Sequence, residues 1–450
     1  MGRLMGWRLA FATVRAHLGS YLASAGVTLA GTALLTAFAS LLETGLATGR
    51  DSGFLIMLPA ILGGWTVAIV GFGVVSTVSL TIQHRERELA LLRSIAATPR
   101  QVRRNVVRET MIAAVPAIVA GVAPGVGLGA IVLGRLVDAG LVAHGTTVQV
   151  GWRGVALVAG MSLLTAVGAA LISSRRAVSI PPVRALAAAA PQPARALGRG
   201  RVLAGAALLA VGLALSCGTL FMENGPLLSS TAGPAGVAVA VGLALLSPAA
   251  LRPVRLLSDA RLGATVRLAA RNLQAGARQG GAVASPLILL VGIAGGTLYM
   301  QSTEDSVTHS VTHRGDDVSA QLAPVNYLVV AMIIAFTAIV VVNTLIAATR
   351  RRRREFGLLR LSAATRRQVL WMVAAEGGIT AILAVALGTV AVAATTVPYS
   401  LVKTGSPIAT GPGWMYAAIA GAALLLVLAA TIPTAVSALR VRPVEALNSV

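Results

Sequence analysis

Ten apolar runs decide what this chain can become. They lie at about 21–46, 55–82, 106–137, 152–174, 202–222, 231–251, 282–301, 325–349, 368–396 and 413–438. A helix that crosses a bilayer needs about 20 mostly apolar residues, and every run meets that length. Charged residues make up only 12% of the 450 positions and hydrophobic residues 56%, whereas a soluble domain carries roughly 25% charge. A water-soluble fold of this size has too little interior to hide so much apolar surface. The sequence therefore predicts an all-α polytopic membrane protein of about ten transmembrane helices, with membrane lipid as its natural surroundings.

The charges that remain are informative by position. The net charge is +22, and Lys403 is the only lysine. Arginines collect before span 1 and in the connections after spans 2, 4, 6 and 8, with two more after span 10, so 32 of the 37 basic residues fall on one side. Only Arg50, Arg135, Arg153, Arg314 and Lys403 fall on the other. An excess of Lys and Arg marks cytoplasmic loops, so both termini are expected in the cytoplasm. Nucleic-acid binding would need a basic face with stacking aromatics; aromatics are 4% here and the arginines sit in short blocks between apolar runs. The single cysteine, Cys217, excludes an intrachain disulfide. Ala/Gly/Arg-rich, lysine-poor usage fits a GC-rich bacterial genome and hence an inner membrane. Span 1 is longer than the 7–15 apolar residues of a signal-peptide core and is expected to be retained.

The chain repeats itself. Glu88-Leu89-Ala90-Leu91-Leu92-Arg93 through Gln101-Val102 recurs as Glu355-Phe356-Gly357-Leu358-Leu359-Arg360 through Gln368-Val369, always 267 positions later. Glu109 and Glu376 match at the same offset, as do Gly121 and Gly388. Arg8-Leu9-Ala10 pairs with Arg267-Leu268-Ala269, 259 positions later, and Pro182-Val183 with Pro443-Val444. Spans 1–4 thus return as spans 7–10 in parallel orientation. The expected division is 1–186 for the first four-span repeat, 187–260 for a linker holding spans 5 and 6, and 261–450 for the second repeat. Each repeat opens with an amphipathic helix suited to the membrane surface. In the first, Leu4, Trp7, Phe11, Val14 and Leu18 form the apolar stripe. In the second, Arg267, Arg271, Gln274 and Arg278 form the polar one.

The duplicated block is a knuckle between spans 2 and 3, and again between spans 8 and 9. Span 2 is expected to continue as a charged stalk to near Ile95. Thr98-x-x-Gln101 and Thr365-x-x-Gln368 then read as capping boxes that start spans 3 and 9, with Pro99 at the first helical position. Between stalk and next span a short helix is expected, from which Leu91-Leu92 and Leu358-Leu359 project, flanked by charges. Exposed apolar clusters tend to mark interaction sites, so each knuckle is expected to dock a partner.

Other chemistry is missing from the sequence. A phosphate-binding loop needs its lysine, and Lys403 lies in the last connection, so the chain does not hydrolyse ATP. Ion-coupled carriers need ionisable groups within their spans, yet Glu43, Glu109 and Glu376 lie only near span ends. His309 and His313 stand four apart beside Asp316 and Asp317, a spacing that can hold a metal on a helix; here it reads as a polar connection. Gly121, Gly125 and Gly129 form a stripe for close helix packing.

The knuckle resembles the signature of FtsX-like permeases, the MacB/FtsX type of ABC transporter. Glu88, Leu92, Arg93, Ala97, Thr98 and Gln101 match it, as do Glu355, Gly357, Leu359, Arg360, Ala364, Thr365 and Gln368. The resemblance implies that Glu88, Leu91, Leu92, Arg93, Thr98 and Gln101 form one ATPase-coupling element, and Glu355, Leu358, Leu359, Arg360, Thr365 and Gln368 the other. It further implies a cytoplasmic ABC ATPase as partner, two copies per chain, with ATP and Mg held there and no cofactor in this chain. The resemblance does not name a cargo; with no outer domain and no charged pore, the expected substrate is apolar or amphipathic, taken from the membrane and exported. A subunit that relays ATPase state to an extracytoplasmic partner is the alternative. Two departures stand out. Ala90, Ala96 and Ala363 occupy positions where the signature has glycine. The large extracytoplasmic domain of such permeases is missing, since its possible places here are only about 47–54 and 302–324.

Overall fold

The computed structural model describes residues 2–49, 53–83, 85, 88–89, 91, 94, 98–179, 198–254, 263–311 and 318–440. Among these residues there are thirteen α-helices and no strand. Ten of the helices are long and apolar enough to cross a membrane: Leu18–Thr48, Gly53–Gln83, Pro99–Asp138, Trp152–Ser179, Arg199–Gly218, Pro226–Ala250, Ala277–Val311, Val318–Arg351, Arg366–Thr404 and Gly413–Leu439, numbered here as spans 1 to 10. The all-α, ten-span reading of the sequence stands, and the chain is a multi-pass membrane protein.

Spans 3 and 9 are the longest, at 40 and 39 residues. At 1.5 Å per residue each is about 60 Å long, twice the ~30 Å hydrocarbon core. Their first turns, carrying Arg100, Arg103 and Arg104 or Arg366 and Arg367, therefore stand clear of the apolar segment. The stretch 302–324, expected as a connection, is largely helical. Span 7 runs on to Val311 and span 8 begins at Val318. His313 lies outside the described residues. Among the described residues no cluster of His, Cys, Asp and Glu is grouped as a metal site.

The chain forms two compact units, Met1–Gln192 with Asp316–Phe336, and Pro193–Gly315 with Thr337–Val450. In the first, span 1 packs along span 3, and spans 2 and 4 pack on them. In the second, span 7 packs along span 9, spans 5 and 6 pair with each other, and span 6 also packs on spans 7 and 9. The same contact organises both units. A Cβ on Gly121 would meet the Leu29 carbonyl oxygen and Thr32 Cβ; on Gly388 it would meet Val291 Cβ and the Gly292 amide. Thr32 and Val291 are 259 apart, the offset of the amphipathic helices, so span 3 on span 1 and span 9 on span 7 meet in one register. Glycine is needed at both positions because the backbones approach too closely for a side chain.

Span 1 shows how lipid exposure changes the sequence code. Ser24, Thr28, Thr32, Thr36, Ser40 and Thr44 recur every fourth residue and are all buried. Thr28, Ser40 and Thr44 return their hydroxyl hydrogen to their own helix, to the carbonyls of Ser24 (2.9 Å), Ala37 (2.9 Å) and Ser40 (2.7 Å). Thr32 instead donates to Ser162 of span 4 (3.2 Å). Small hydroxyl residues allow tight helix contact while the helix satisfies their polarity.

The amphipathic helices Gly2–Ala16 and Ala264–Ala275 precede spans 1 and 7 and pack on spans 3 and 9 respectively. Each buries apolar residues, Ala10 in one and Ala269, Ala270 and Leu273 in the other. Trp7 and Phe11 are exposed, as the membrane-surface reading of the first helix requires.

Candidate functional site: the duplicated knuckle

Both capping boxes form. The Gln101 amide donates to Thr98 Oγ1 (3.3 Å) and the Thr98 amide to Gln101 Oε1 (2.9 Å). The Gln368 amide likewise donates to Thr365 Oγ1 (3.2 Å), and the Thr365 amide to Gln368 Oε1 (2.8 Å). Each box satisfies two of the amides that a helix start leaves unpaired, and it fixes where spans 3 and 9 begin.

The expected continuous stalk is not what forms. Span 2 closes at Gln83 and span 8 at Arg351. The next described residue in each case, Arg85 or Arg352, sits in a tight turn, its amide donating three residues back to Ile82 (3.0 Å) or Thr349 (3.1 Å). A separate short helix, Arg353–Leu361, follows in the second repeat. In the first, the described residues Glu88, Leu89, Leu91 and Ser94 are helical. The break has a side-chain cause. Turning at the arginine lets its guanidinium reach back to the glutamate three positions ahead and across to the start of the next span.

That reach builds an ion cluster in each repeat. In the first, Arg85 Nε donates to Glu88 Oε2 (2.9 Å) and Nη1 to Glu109 Oε2 and to Tyr21 Oη (2.8 Å). The Tyr21 hydroxyl donates in turn to Glu109 Oε2 (2.7 Å), and His17 Nε2 faces Glu88 Oε1 at 2.8 Å. In the second, Arg352 Nε donates to Glu355 Oε2 (2.7 Å), and Nη2 to Glu355 Oε1 (2.6 Å) and Glu376 Oε1 (3.1 Å). Nη1 also bonds Glu376, and Asn272 Nδ2 donates to Glu376 Oε1 (2.9 Å). Burial alone would disfavour charge on either arginine. The surrounding groups outweigh it, Tyr21, Glu109 and Glu88 around Arg85 and Glu355 and Glu376 around Arg352. Both guanidinium pKa values are raised above the ordinary value, so the arginines stay charged at any physiological pH. The sequence reading noted Glu88, Glu109, Glu355 and Glu376 but missed the arginines, although Arg85 and Arg352 share the 267 offset. Tyr21, His17 and Asn272 carried no signal of their own, because they reach the cluster from elements distant in sequence.

The two leucines of the second knuckle divide. Leu358 is 52% exposed. Leu359 leans on an apolar cluster of Phe356, Val369, Met372, Ala435 and Leu439. In the first knuckle Leu91 is 42% exposed and Leu89, the equivalent of Phe356, is buried. Leu92 and Arg93 lie outside the described residues. Leu359 is thus half-buried where Leu358 is exposed: a helix that buries Phe356 turns the next-but-one residue outward and brings Leu359 back toward the cluster. Arg360 Nη1 donates to the Leu439 carbonyl (3.1 Å), anchoring the short helix to the end of span 10. So Glu88, Thr98, Gln101, Glu355, Leu359, Arg360, Thr365 and Gln368 build the knuckles, while Leu91 and Leu358 face outward.

The short helix ends in a Schellman turn. The Ala364 amide donates to the Leu359 carbonyl (3.0 Å) and that of Ala363 to Arg360 (3.3 Å). Ala363 is the left-handed residue, with φ of 68°, where the signature has glycine. The turn is kept and alanine bears the strain. Ala96, its counterpart, is outside the described residues.

Among curated proteins none matches this sequence. A profile described as the FtsX-like permease C-terminal domain matches residues 60–182 and 327–441. It covers the knuckle and the following spans of each repeat, and together the two matches take in more than half of the chain. Members of that family are generally non-catalytic membrane subunits that work with a cytoplasmic ABC ATPase. With two matched regions, two capped knuckles and two equivalent ion clusters, the chain belongs to the FtsX-like permease family.

Proposed function

We propose that this chain is the transmembrane permease subunit of an ABC transporter, and that its two knuckles receive the stroke of a separate cytoplasmic ATPase. One observation carries the reading: the same exposed leucine, Leu91 or Leu358, is presented beside the same Arg–Glu cluster in each repeat. A structural loop would not need its buried and exposed positions duplicated. The cluster ties the end of span 2 or 8 to the start of span 3 or 9, so a push on the short helix is passed to two spans at once. Two knuckles on one chain suit two ATPase copies, with ATP and Mg bound there. The arginine asymmetry supports a cytoplasmic side for the knuckles and both termini, and the residue usage supports a bacterial inner membrane. With no charged group near the middle of any span, an apolar or amphipathic substrate is the cargo that fits, moved outward.

The test is the pair of outward leucines. Replacing both Leu91 and Leu358 with Asp removes two apolar contacts and adds charge to a surface that must dehydrate. A hot-spot contact is worth about 2 kcal/mol or more, roughly a 30-fold loss of affinity. The variant should keep its membrane level while recovery of an ATP-hydrolysing subunit, quantified by mass spectrometry on the solubilised complex, falls at least that far. Unchanged recovery would remove the coupling role. Reconstituted complex whose ATPase is not stimulated by any transported compound, yet responds to an extracytoplasmic protein, would favour the relay reading instead.

A further inference from the structure

The second repeat opens a cavity beside its ion cluster, at the place where the first repeat buries Tyr21. It measures about 270 Å³ and is bounded by the amphipathic helix Ala264–Ala275, the start of span 7, the end of span 8 and spans 9 and 10. Its polar wall is the ion cluster itself: Asn272, Arg352, Glu355 and Glu376. Leu345 and Val373 belong to its apolar wall, and Gly276 and Gly280 also line it.

These two glycines explain the cavity. At the 259 offset that relates the amphipathic helices and the following spans, Gly276 stands for His17 and Gly280 for Tyr21. Element boundaries agree with this register, because one helix ends at Ala16 and the other at Ala275, and the next begin at Leu18 and Ala277. In the first repeat the Tyr21 ring is buried, its hydroxyl accepts from Arg85 and donates to Glu109, and His17 faces Glu88. The second repeat keeps the arginine and both glutamates and lacks the phenol and the imidazole. Asn272 restores one hydrogen bond to Glu376, reaching in from the amphipathic helix. It also approaches Glu355 Oε1 at 3.4 Å, but it supplies neither the phenol ring nor a cationic group at the His17 position.

We propose that this cavity is a binding site for a compact organic cation bearing a phenolic hydroxyl, seated as Tyr21 and His17 are seated in the first repeat. Size permits it, since a cavity of about 150 Å³ already admits benzene. Charge favours it, since among the described lining residues two carboxylates, Glu355 and Glu376, stand against one guanidinium, Arg352. A phenol can donate to Glu376 and accept from Arg352, and an ammonium can face Glu355. Such an occupant would brace the second cluster as Tyr21 braces the first, so the site would be regulatory for one knuckle and absent from the other.

Tyramine is the probe, because it joins a phenol to an ammonium group. The full chain in lipid nanodiscs should bind one tyramine saturably, with a dissociation constant on the order of 1 mM for a ligand this small. Phenethylamine, lacking the hydroxyl, and 4-ethylphenol, lacking the amine, should each bind at least about tenfold more weakly, since each leaves buried polar groups unpaired. Gly280→Tyr should abolish binding. A Cβ there meets the terminal carbon of Leu251 at 2.9 Å, so Thr431→Phe, which fills the cavity from span 10, serves as a second blocking variant. Tyr21→Ala should add a second tyramine site. The proposal is overturned if the wild-type chain shows no saturable binding, if all three compounds bind equally, or if both blocking variants bind as wild type does. The assay uses no ATPase, so its failure would leave the coupling reading untouched.

Discussion

The two repeats share a backbone plan and differ in how they fill it. In the first, the Arg85 and Glu109 side chains are 7% and 5% exposed, and Tyr21 closes over them. In the second, Arg352 is 17% exposed, Glu376 is 7% exposed, and a cavity adjoins them. The hydroxyl row of span 1 has mostly apolar counterparts in span 7: Val283, Leu287, Val291 and Gly295 stand at the positions of Ser24, Thr28, Thr32 and Thr36. Duplication kept the charges that hold each knuckle to its spans. It released the side chains around them, and one knuckle became sealed while the other stayed open to a ligand. Two equal levers would not need that difference.

The largest expected effect comes from unpairing the arginines. Glu109→Ala would leave a deeply buried guanidinium with only Glu88 and the Tyr21 hydroxyl, and breaking a buried pair costs about 3–5 kcal/mol. Glu376→Ala should cost less, about 1–3 kcal/mol, because Arg352 is less buried and keeps a two-pronged contact with Glu355. Equilibrium unfolding of the purified chain in mixed micelles measures both. Equal losses, or a larger loss at Glu376, would break the sealed-versus-open comparison.

A finer cut removes only the closing groups. Tyr21→Phe keeps the ring and deletes the hydroxyl that serves both Arg85 and Glu109, at a cost of about 1–3 kcal/mol. Asn272→Ala deletes a bond to Glu376 and longer contacts to Glu355 and Met372 beside an existing cavity, where solvent can replace them, and should cost about 1 kcal/mol or less. If the asparagine matters as much as the tyrosine, the second cluster is closed by protein after all.

The smallest effect concerns the Schellman turn. A left-handed alanine costs about 1–2 kcal/mol relative to its right-handed form, and glycine returns part of that gain as lost chain entropy, about 0.5–1 kcal/mol. Ala363→Gly should therefore stabilise the short helix by about 0.5 kcal/mol, slowing hydrogen exchange of the Ala364 amide roughly twofold. Faster exchange would mean that the turn is not held in the left-handed form in solution.

The sequence by itself determined the features whose physics is local. The spans follow from length and hydropathy, the capping boxes from residues three apart, and the duplication from two constant offsets. It could not place the break at Arg85 and Arg352, because the cause lies in partners 24 residues away along the chain. Nor could it separate Leu358 from Leu359. In water, apolar periodicity tells which face of a helix is inside. On the nine-residue helix Arg353–Leu361 two adjacent leucines do not define one face, so the pattern loses that meaning. Only the tertiary structure decided that Tyr21 closes a charge cluster 88 residues away at Glu109, and that Gly280 leaves its counterpart open. Burying a charge is costly unless its partners converge on it, and that convergence depends on how spans pack rather than on any one of them.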